Sequence, residues 1–413
     1  MMLDDAHRWF AGARFGLFMH WGMYALYGRG EQVLFREHLT PSEYRRRADE
    51  FNPRSYDPAE WAEAAKEAGM RYAVLTAKHH DGYCLFDSEW SDFTSTKTGP
   101  QRDLVREYVT AFRQAGLRVG LYYSLADWQW PAYFDGPEKD SRAFGRFLEY
   151  THGQVRELCC NYGPLDILWF DGAWPHDPDT WHAHALLAMV RELQPGILIN
   201  NRTGLQGDFD TPEQRIAATA GQRPWEACIT ATERWWGYHI GDRMWKTPAQ
   251  VIHMLAQVAE GAGNLLLNVG PMADGRWPRP FTELLSEVGE WMKVNGRAIY
   301  DSSPGVCEAI SIGRQSVLDS TVFLHVLYWP GDTLHLAGLN NRVLSARFLA
   351  DGWSIPFKQE GEHLWLRMLP MLPPDERNTV IALEVEGTPQ AFPWAQERLW
   401  QGDASRMSAW SAM

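Results

Sequence analysis

The sequence predicts an α/β fold class: an irregular (β/α)8-like barrel of the TIM type, followed by a small all-β sandwich. Two observations carry this. Over residues 1–304, short apolar, β-branched or aromatic runs alternate with longer segments whose apolar residues recur at helical spacing. From Gly305 to Gly387 the texture changes to short alternating strands cut by Gly, Pro and Asp turns. A chain of 413 residues has the length for two or three domains at roughly 150 residues each, so a barrel with a smaller partner fits.

The elements follow in order. Candidate strands of the first part are "RFGLFMHWG" from Arg14, "RYAVLTAKHH" from Arg71, "LRVGLYYS" from Leu117 and "LDILWFDG" from Leu165. Between them, "PAEWAEAAKEAGM" and "LVREYVTAFRQAG" gather apolar residues on one helical face and end near a glycine, the residue that closes a helix in the left-handed conformation. "GILINNR", "WEACIT" and "NLLLNVGP" continue as strands with shortened units, so the barrel is expected to be irregular. After "WMKVNGRAIYDSSPG" the strands "VFLHVLYW", "TLHLAGL", "HLWLRML" and "TVIALEVEG" make the sandwich of residues 305–387. Residues 388–413 form a tail with no assignable element.

Composition excludes several partners. A net charge of −13, with no basic run to reverse it locally, repels phosphate backbones and anionic membranes, so neither nucleic acid nor a membrane is expected. The N-terminus "MMLDDAHRWF" carries two acids where a signal peptide carries positive charge, and no apolar run reaches spanning length. The five cysteines, Cys84, Cys159, Cys160, Cys228 and Cys307, are odd in number and form no C-x-x-C pair. These features together read as a soluble cytoplasmic protein, and a homo-oligomer is compatible with them.

In a β/α barrel the chemistry sits where strands end. The candidate strand ends carry His20, His79, His80, Asp81, Tyr122, Asp171 and Arg202. Asp171 closes the apolar run "LDILWFDGAW", and a charge at the tip of a buried strand is costly unless something needs it there. Period-two alternation puts Trp169 on the same face as Asp171 and turns Phe170 away. An indole beside a carboxylate suits a sugar ring, whose faces are C–H and whose rim is hydroxyl. Of the 21 tryptophans, most are expected in packing rather than in such stacking. Three histidines and several acids raise a metal reading, but there is no H-E-x-x-H, and adjacent His79 and His80 diverge unless the strand end twists; a metal is not expected. Glycoside hydrolysis would need a second carboxyl. Glu213, in the turn-rich "GDFDTPEQRI" that would hang over a barrel mouth, is preferred to Glu226 of "RPWEACIT", which reads as a buried structural acid.

The stretches "FGLFMHWG", "LTAKHHDGYCLF", "RDLVREYV", "LWFDGAW", "WEACIT", "WGY" and "GNLLLNVGPMADG" resemble, in order and spacing, the α-L-fucosidases of glycoside hydrolase family 29, from about Trp9 to Ser302. The resemblance implies a retaining exo-hydrolase that removes terminal α-linked L-fucose from oligosaccharides or glycoconjugates, without metal or organic cofactor. It makes Asp171 similar to the family's nucleophile and Glu213 to its acid/base. His20, His79, His80, Tyr122, Trp169 and Arg202 match its sugar-hydroxyl contacts, and Trp236 of "WWGY" falls where an aromatic lies near the fucose methyl. Glu31 in "RGEQVLF" matches a further hydroxyl contact, although the family commonly has tryptophan where this chain has Gln32. Two other readings stay open: an exo-glycosidase for a related sugar such as an α-galactoside, and a non-catalytic sugar-binding protein.

Overall fold

The computed structural model describes residues 8–217, 223–307 and 311–393, which form two compact units. In the first, seven parallel strands, β1 (Phe15–Met19), β2 (Tyr72–Lys78), β3 (Arg118–Ser124), β4 (Ile167–Asp171), β5 (Leu198–Ile199), β6 (Glu226–Thr230) and β7 (Asn264–Val269), lie in the order β5-β4-β3-β2-β1-β7-β6. All residues of β1, β2, β6 and β7 are buried, the reason these runs read as almost uninterrupted apolar sequence: helices cover the sheet outside and side chains fill it inside. Between β5 and β6 the chain makes parallel bridges Asn200–Phe209, Asp210–Trp225 and Glu213–Cys228. Pro212 has no N–H to offer, yet its carbonyl accepts from Cys228 N–H at 3.1 Å. An irregular eighth segment thus bridges the sheet's two edges, giving the (β/α)8-like barrel its broken regularity.

The helices start and stop as their sequences dictate. Asp57 accepts from the backbone N–H groups of Ala59 and Glu60 to cap Pro58–Glu67, and Asp103 accepts from Arg106 N–H to cap Leu104–Gln114. Gly69 and Gly116, at φ of 88° and 83°, turn the chain out of these two helices. A third, Ser141–Asn161, is capped by Asp140 and was not foreshadowed by the sequence pattern.

The barrel interior is layered around one buried acid. A Cβ on Gly16 would stand 2.3 Å from the Tyr72 ring, so the missing side chain on β1 leaves room for that ring to cross the interior. Its hydroxyl donates to Glu226 Oε2 at 2.5 Å, while Trp169 Nε1 donates to Oε1 at 3.0 Å. Burial pushes the Glu226 carboxyl from 4.5 up to about 7.

The second unit holds residues 259–261 and 297–393, beginning ahead of the change of texture at Gly305. Its strands are β8 (Ser303–Pro304), β9 (Gly313–Leu318), β10 (Thr321–Val326), β11 (Thr333–Ala337), β12 (Val343–Phe348), β13 (Phe357–Glu360), β14 (His363–Arg367) and β15 (Thr379–Val385). They make a five-stranded sheet, β12-β15-β10-β9-β8, and a three-stranded sheet, β11-β14-β13, with antiparallel pairing throughout. Leu334 and Leu336 of β11 and Leu364 and Leu366 of β14 share one core with Leu324, Ile381 and Leu383. Residues 394–413, most of the tail, lie outside the described residues, as do residues 1–7 of the N-terminal stretch.

Glu226 carries a stability prediction with a defined pH dependence. Its folded pKa is raised, so its contribution to stability is fully present below about pH 4.5 and is lost as pH rises through about 7. Glu226→Gln should flatten that dependence in urea unfolding. Glu226→Ala, which strands the Tyr72 hydroxyl and the Trp169 indole N–H, should cost about 2–4 kcal/mol at pH 5; an unchanged midpoint would show that the layer is not structural.

Candidate active site

One end of the first unit's barrel opens into a cavity of about 140 Å³ lined by Phe18, His20, Glu31, Gln32, His79, His80, Tyr122, Trp169, Asp171, Trp174, Arg202, Glu213, Cys228 and Trp236. All ten site residues expected from the sequence are among them. The strand ends supply most: His20 follows β1, His79 and His80 follow β2, Tyr122 lies on β3, Trp169 and Asp171 on β4, and Arg202 follows β5. Glu213 comes from the irregular eighth segment. It is therefore held by pairing to β6 rather than hanging free over the mouth.

Asp171 is the most constrained acid. Its Oδ2 accepts from the Tyr122 hydroxyl at 3.0 Å and lies 3.8 Å from His80 Nε2, while Oδ1 is 3.5 Å from a guanidinium nitrogen of Arg202. Burial raises its pKa; the Arg202 charge and the Tyr122 hydrogen bond oppose that rise. Arg202 spans the two acids: a second nitrogen donates to Glu213 Oε2 at 3.0 Å, and its carbon sits 5.2 Å from the Trp169 ring. Its position is fixed by Thr211, whose hydroxyl accepts from Arg202 Nε at 2.8 Å. Glu213 is the more accessible acid, with 45% of its side chain exposed against 15% for Asp171.

The remaining walls are aromatic and imidazole. Tyr122 stacks on Trp169 at 5.7 Å and on His79 at 5.5 Å. Trp236 leans against His20 at 5.0 Å and Phe18 at 6.0 Å. Burial pushes His20 and His80 down to about 3, and His79 well below its ordinary value. The adjacent histidines, expected to diverge unless the strand end twists, do not diverge here, for a local reason. Pairing of β2 with β3 slips between Thr76 and Lys78, the strand ends at Lys78, and the two rings reach the same cavity 4.1 Å apart. Glu31 is buried, and its Oε2 accepts from Gly237 N–H at 2.8 Å, which ties it to the loop carrying Trp236. Gln32 lines the cavity and accepts from Arg36 at 3.0 Å.

Asp81, grouped with the strand ends in the sequence, does not line the cavity; it accepts from the buried Tyr44 hydroxyl at 2.7 Å, and burial pushes it up to about 7. Glu226 also lies outside the cavity, in the layer beneath Trp169. Sequence reasoning missed the ion pair behind the histidines, Lys78 to Asp127 at 3.1 Å, both buried, with the Tyr150 hydroxyl donating to the same Asp127 oxygen at 2.8 Å. Among the described residues no group of three or more His, Cys, Asp or Glu is placed to hold a metal ion, and no helix is long and apolar enough to cross a membrane.

A family model described as Alpha-L-fucosidase matches residues 2–297. The tissue alpha-L-fucosidase of Rattus norvegicus is 31% identical over 407 residues, covering 89% of this chain and 86% of its own length. The structure of alpha-L-fucosidase isoenzyme 1 from Paenibacillus thiaminolyticus is similar with a TM-score of 0.88 and 42% identity, over 93% of this chain and 99% of that one. A family 29 alpha-L-fucosidase from Bacteroides thetaiotaomicron, a trapped covalent intermediate in complex with 2-fluoro-fucosyl fluoride, is similar with a TM-score of 0.86 and 31% identity, over 94% and 97% of the two chains. A match over most of the barrel, together with relatives above 30% identity across most of the chain, makes this protein a glycoside hydrolase that belongs to the α-L-fucosidases of glycoside hydrolase family 29.

Proposed function

We propose that the chain is a retaining exo-α-L-fucosidase that removes terminal α-linked L-fucose from oligosaccharides or glycoconjugates, with Asp171 as nucleophile and Glu213 as acid/base. The observation that carries this reading is the pair of carboxylates spanned by one guanidinium beside a cavity of about 140 Å³. That volume is below the roughly 300–1,000 Å³ of drug-sized pockets, so it suits one ring rather than a chain. In the first step Asp171 attacks the anomeric carbon, the glycosidic bond breaks and Glu213 gives its proton to the departing oxygen. In the second, Glu213 takes a proton from water, the water oxygen bonds to the anomeric carbon, and the Asp171 ester bond breaks. The relative trapped as a covalent intermediate supports two displacements rather than one.

The walls support fucose over a hydroxymethyl sugar. Trp236 and Phe18 offer an apolar surface that suits a methyl group and gives a hydroxymethyl no partner. His20, His79, His80, Tyr122 and Glu31 serve the hydroxyls, and the Trp169 face carries the ring. Five cysteines without a C-x-x-C pair extend the proposal to a reducing, cytoplasmic setting.

Three measurements test this. Asp171→Gly should stay folded and lose nearly all turnover, and azide should restore activity on an activated aryl fucoside by forming a fucosyl azide of inverted configuration. Substantial unaided turnover by the folded variant would remove Asp171 from the role. Proton NMR of the first-formed sugar should show the α anomer, since retention follows from double displacement; an initial β-fucose would mean an inverting enzyme. Glu213→Ala should abolish hydrolysis of natural fucosides yet spare the first step on a dinitrophenyl fucoside, whose leaving group departs without a proton, and azide should then give a product of retained configuration. Equal loss on good and poor leaving groups would move the acid/base role elsewhere.

A further inference from the structure

Two buried residues behind the cavity decide what its histidines can do. Asn268, on β7, donates from its amide nitrogen to the Trp236 carbonyl at 2.8 Å, which turns its Oδ1 toward His20 Nδ1 at 2.6 Å. That oxygen can only accept, so His20 Nδ1 must carry the proton. Ser124, the last residue of β3, has one hydroxyl proton and donates it to the Ala126 carbonyl at 2.7 Å. Its oxygen, 2.6 Å from His80 Nδ1, is left as an acceptor, and His80 Nδ1 must donate as well. Both partners are buried, with Ser124 at 0% and Asn268 at 1% exposure, so water does not compete for these bonds.

A neutral imidazole has a single N–H. With that proton spent on the wall, Nε2 of each ring is a bare lone pair. For His80, Nε2 faces Asp171 Oδ2 at 3.8 Å, acceptor toward acceptor. A ligand hydroxyl that donates to Nε2 removes the conflict. Burial keeps both rings neutral far below neutral pH, so protonation does not override the arrangement.

We propose that Ser124 and Asn268 are positioning residues that lock His80 and His20 in the Nδ1–H tautomer, so that both present unprotonated Nε2 to the cavity and the site selects sugar hydroxyls acting as hydrogen-bond donors. The identification of those donors as fucose hydroxyls rests on the function proposed above; the tautomers do not. This makes a distinction that hydroxyl recognition in general does not. Fluorine occupies the place of a hydroxyl and can accept, but it cannot donate, so at the positions read by His20 and His80 it should be worth no more than hydrogen.

Neutron diffraction from deuterium-exchanged crystals of the unliganded full chain at pH 7 reads the tautomers directly. Deuterium is expected on Nδ1 of both His20 and His80 and absent from Nε2; deuterium on Nε2 of either ring overturns the proposal whatever the enzyme's substrate proves to be. Calorimetric titration of the wild-type protein with L-fucose and its 3- and 4-deoxy and deoxyfluoro analogues gives the functional reading. At each position where deoxygenation weakens binding, the fluoro analogue should bind no tighter than the deoxy one, whereas a fluoro analogue that keeps the affinity of L-fucose would show the imidazoles donating. Ser124→Ala, which frees the His80 tautomer, should weaken L-fucose by about 10-fold, the scale of one neutral hydrogen bond, with a smaller loss for the analogue lacking the hydroxyl that His80 reads. A purely structural Ser124 would weaken L-fucose and all analogues by the same factor, and that result would also overturn the proposal.

Discussion

The first unit is organised around a buried acid that lies outside the cavity. Glu226 sits inside the barrel with no access to solvent, bridging Tyr72 of β2 and Trp169 of β4. That bridge ties opposite sides of the sheet and fixes the plane of the Trp169 indole. Everything above it inherits the alignment: Tyr122 stacks on Trp169, His79 stacks on Tyr122, and Asp171 stands one period of the strand beyond Trp169, where the Tyr122 hydroxyl reaches it. The cost of burying the acid, visible in a pKa pushed up to about 7, is set against the orientation of an entire wall.

Much of this was legible in the sequence because a parallel barrel simplifies its own signal. Strands buried on both faces read as apolar runs, so a His, Tyr, Asp or Arg at their ends stands out, and His20, His79, His80, Tyr122, Asp171 and Arg202 were all found that way. What stayed hidden depended on partners remote in sequence or on irregular backbone. The eighth segment shows no alternation, and its Gly, Asp and Pro residues read as a turn, yet its isolated bridges set Glu213 against β6. Lys78 carries no signal of its own until Asp127, in the loop after β3, is brought beside it. The long helix Ser141–Asn161 was obscured by Gly145 and Gly153. The second of these is a packing requirement rather than a breaker: a Cβ there would come within 2.1 Å of the Trp90 indole.

The sandwich was legible in part for a related reason. Leu334 and Leu336 alternate with outward His335 on β11, as Leu364 and Leu366 alternate with Trp365 on β14, and a half-exposed sheet announces itself by that alternation. Strand β9 lacks it because Gln315 and Ser316 are buried through hydrogen bonds rather than by apolar character, and in β12 a register shift between Val343 and Ser345 breaks the alternation of its buried Val343, Ala346 and Phe348.

The two carboxylates of the cavity are held in different ways, and on the proposed mechanism the difference is functional. A nucleophile gains from being fixed, because the attacking oxygen must lie within bonding reach of one carbon along one direction. Asp171 ends a strand, is hydrogen-bonded by Tyr122 and is nearly enclosed. An acid/base must instead release a proton, then recover one from water that enters only after the leaving group has gone. Glu213 suits that cycle: it stands on an irregular segment, is close to half exposed, and is held by Arg202. The same guanidinium also stands beside Asp171, favouring its ionised form. As Asp171 becomes an ester in the first displacement its charge disappears, and as Glu213 gives up its proton a charge appears beside the same arginine. One cation therefore serves both acids in turn, and the negative charge it faces passes from the strand to the loop as the reaction advances.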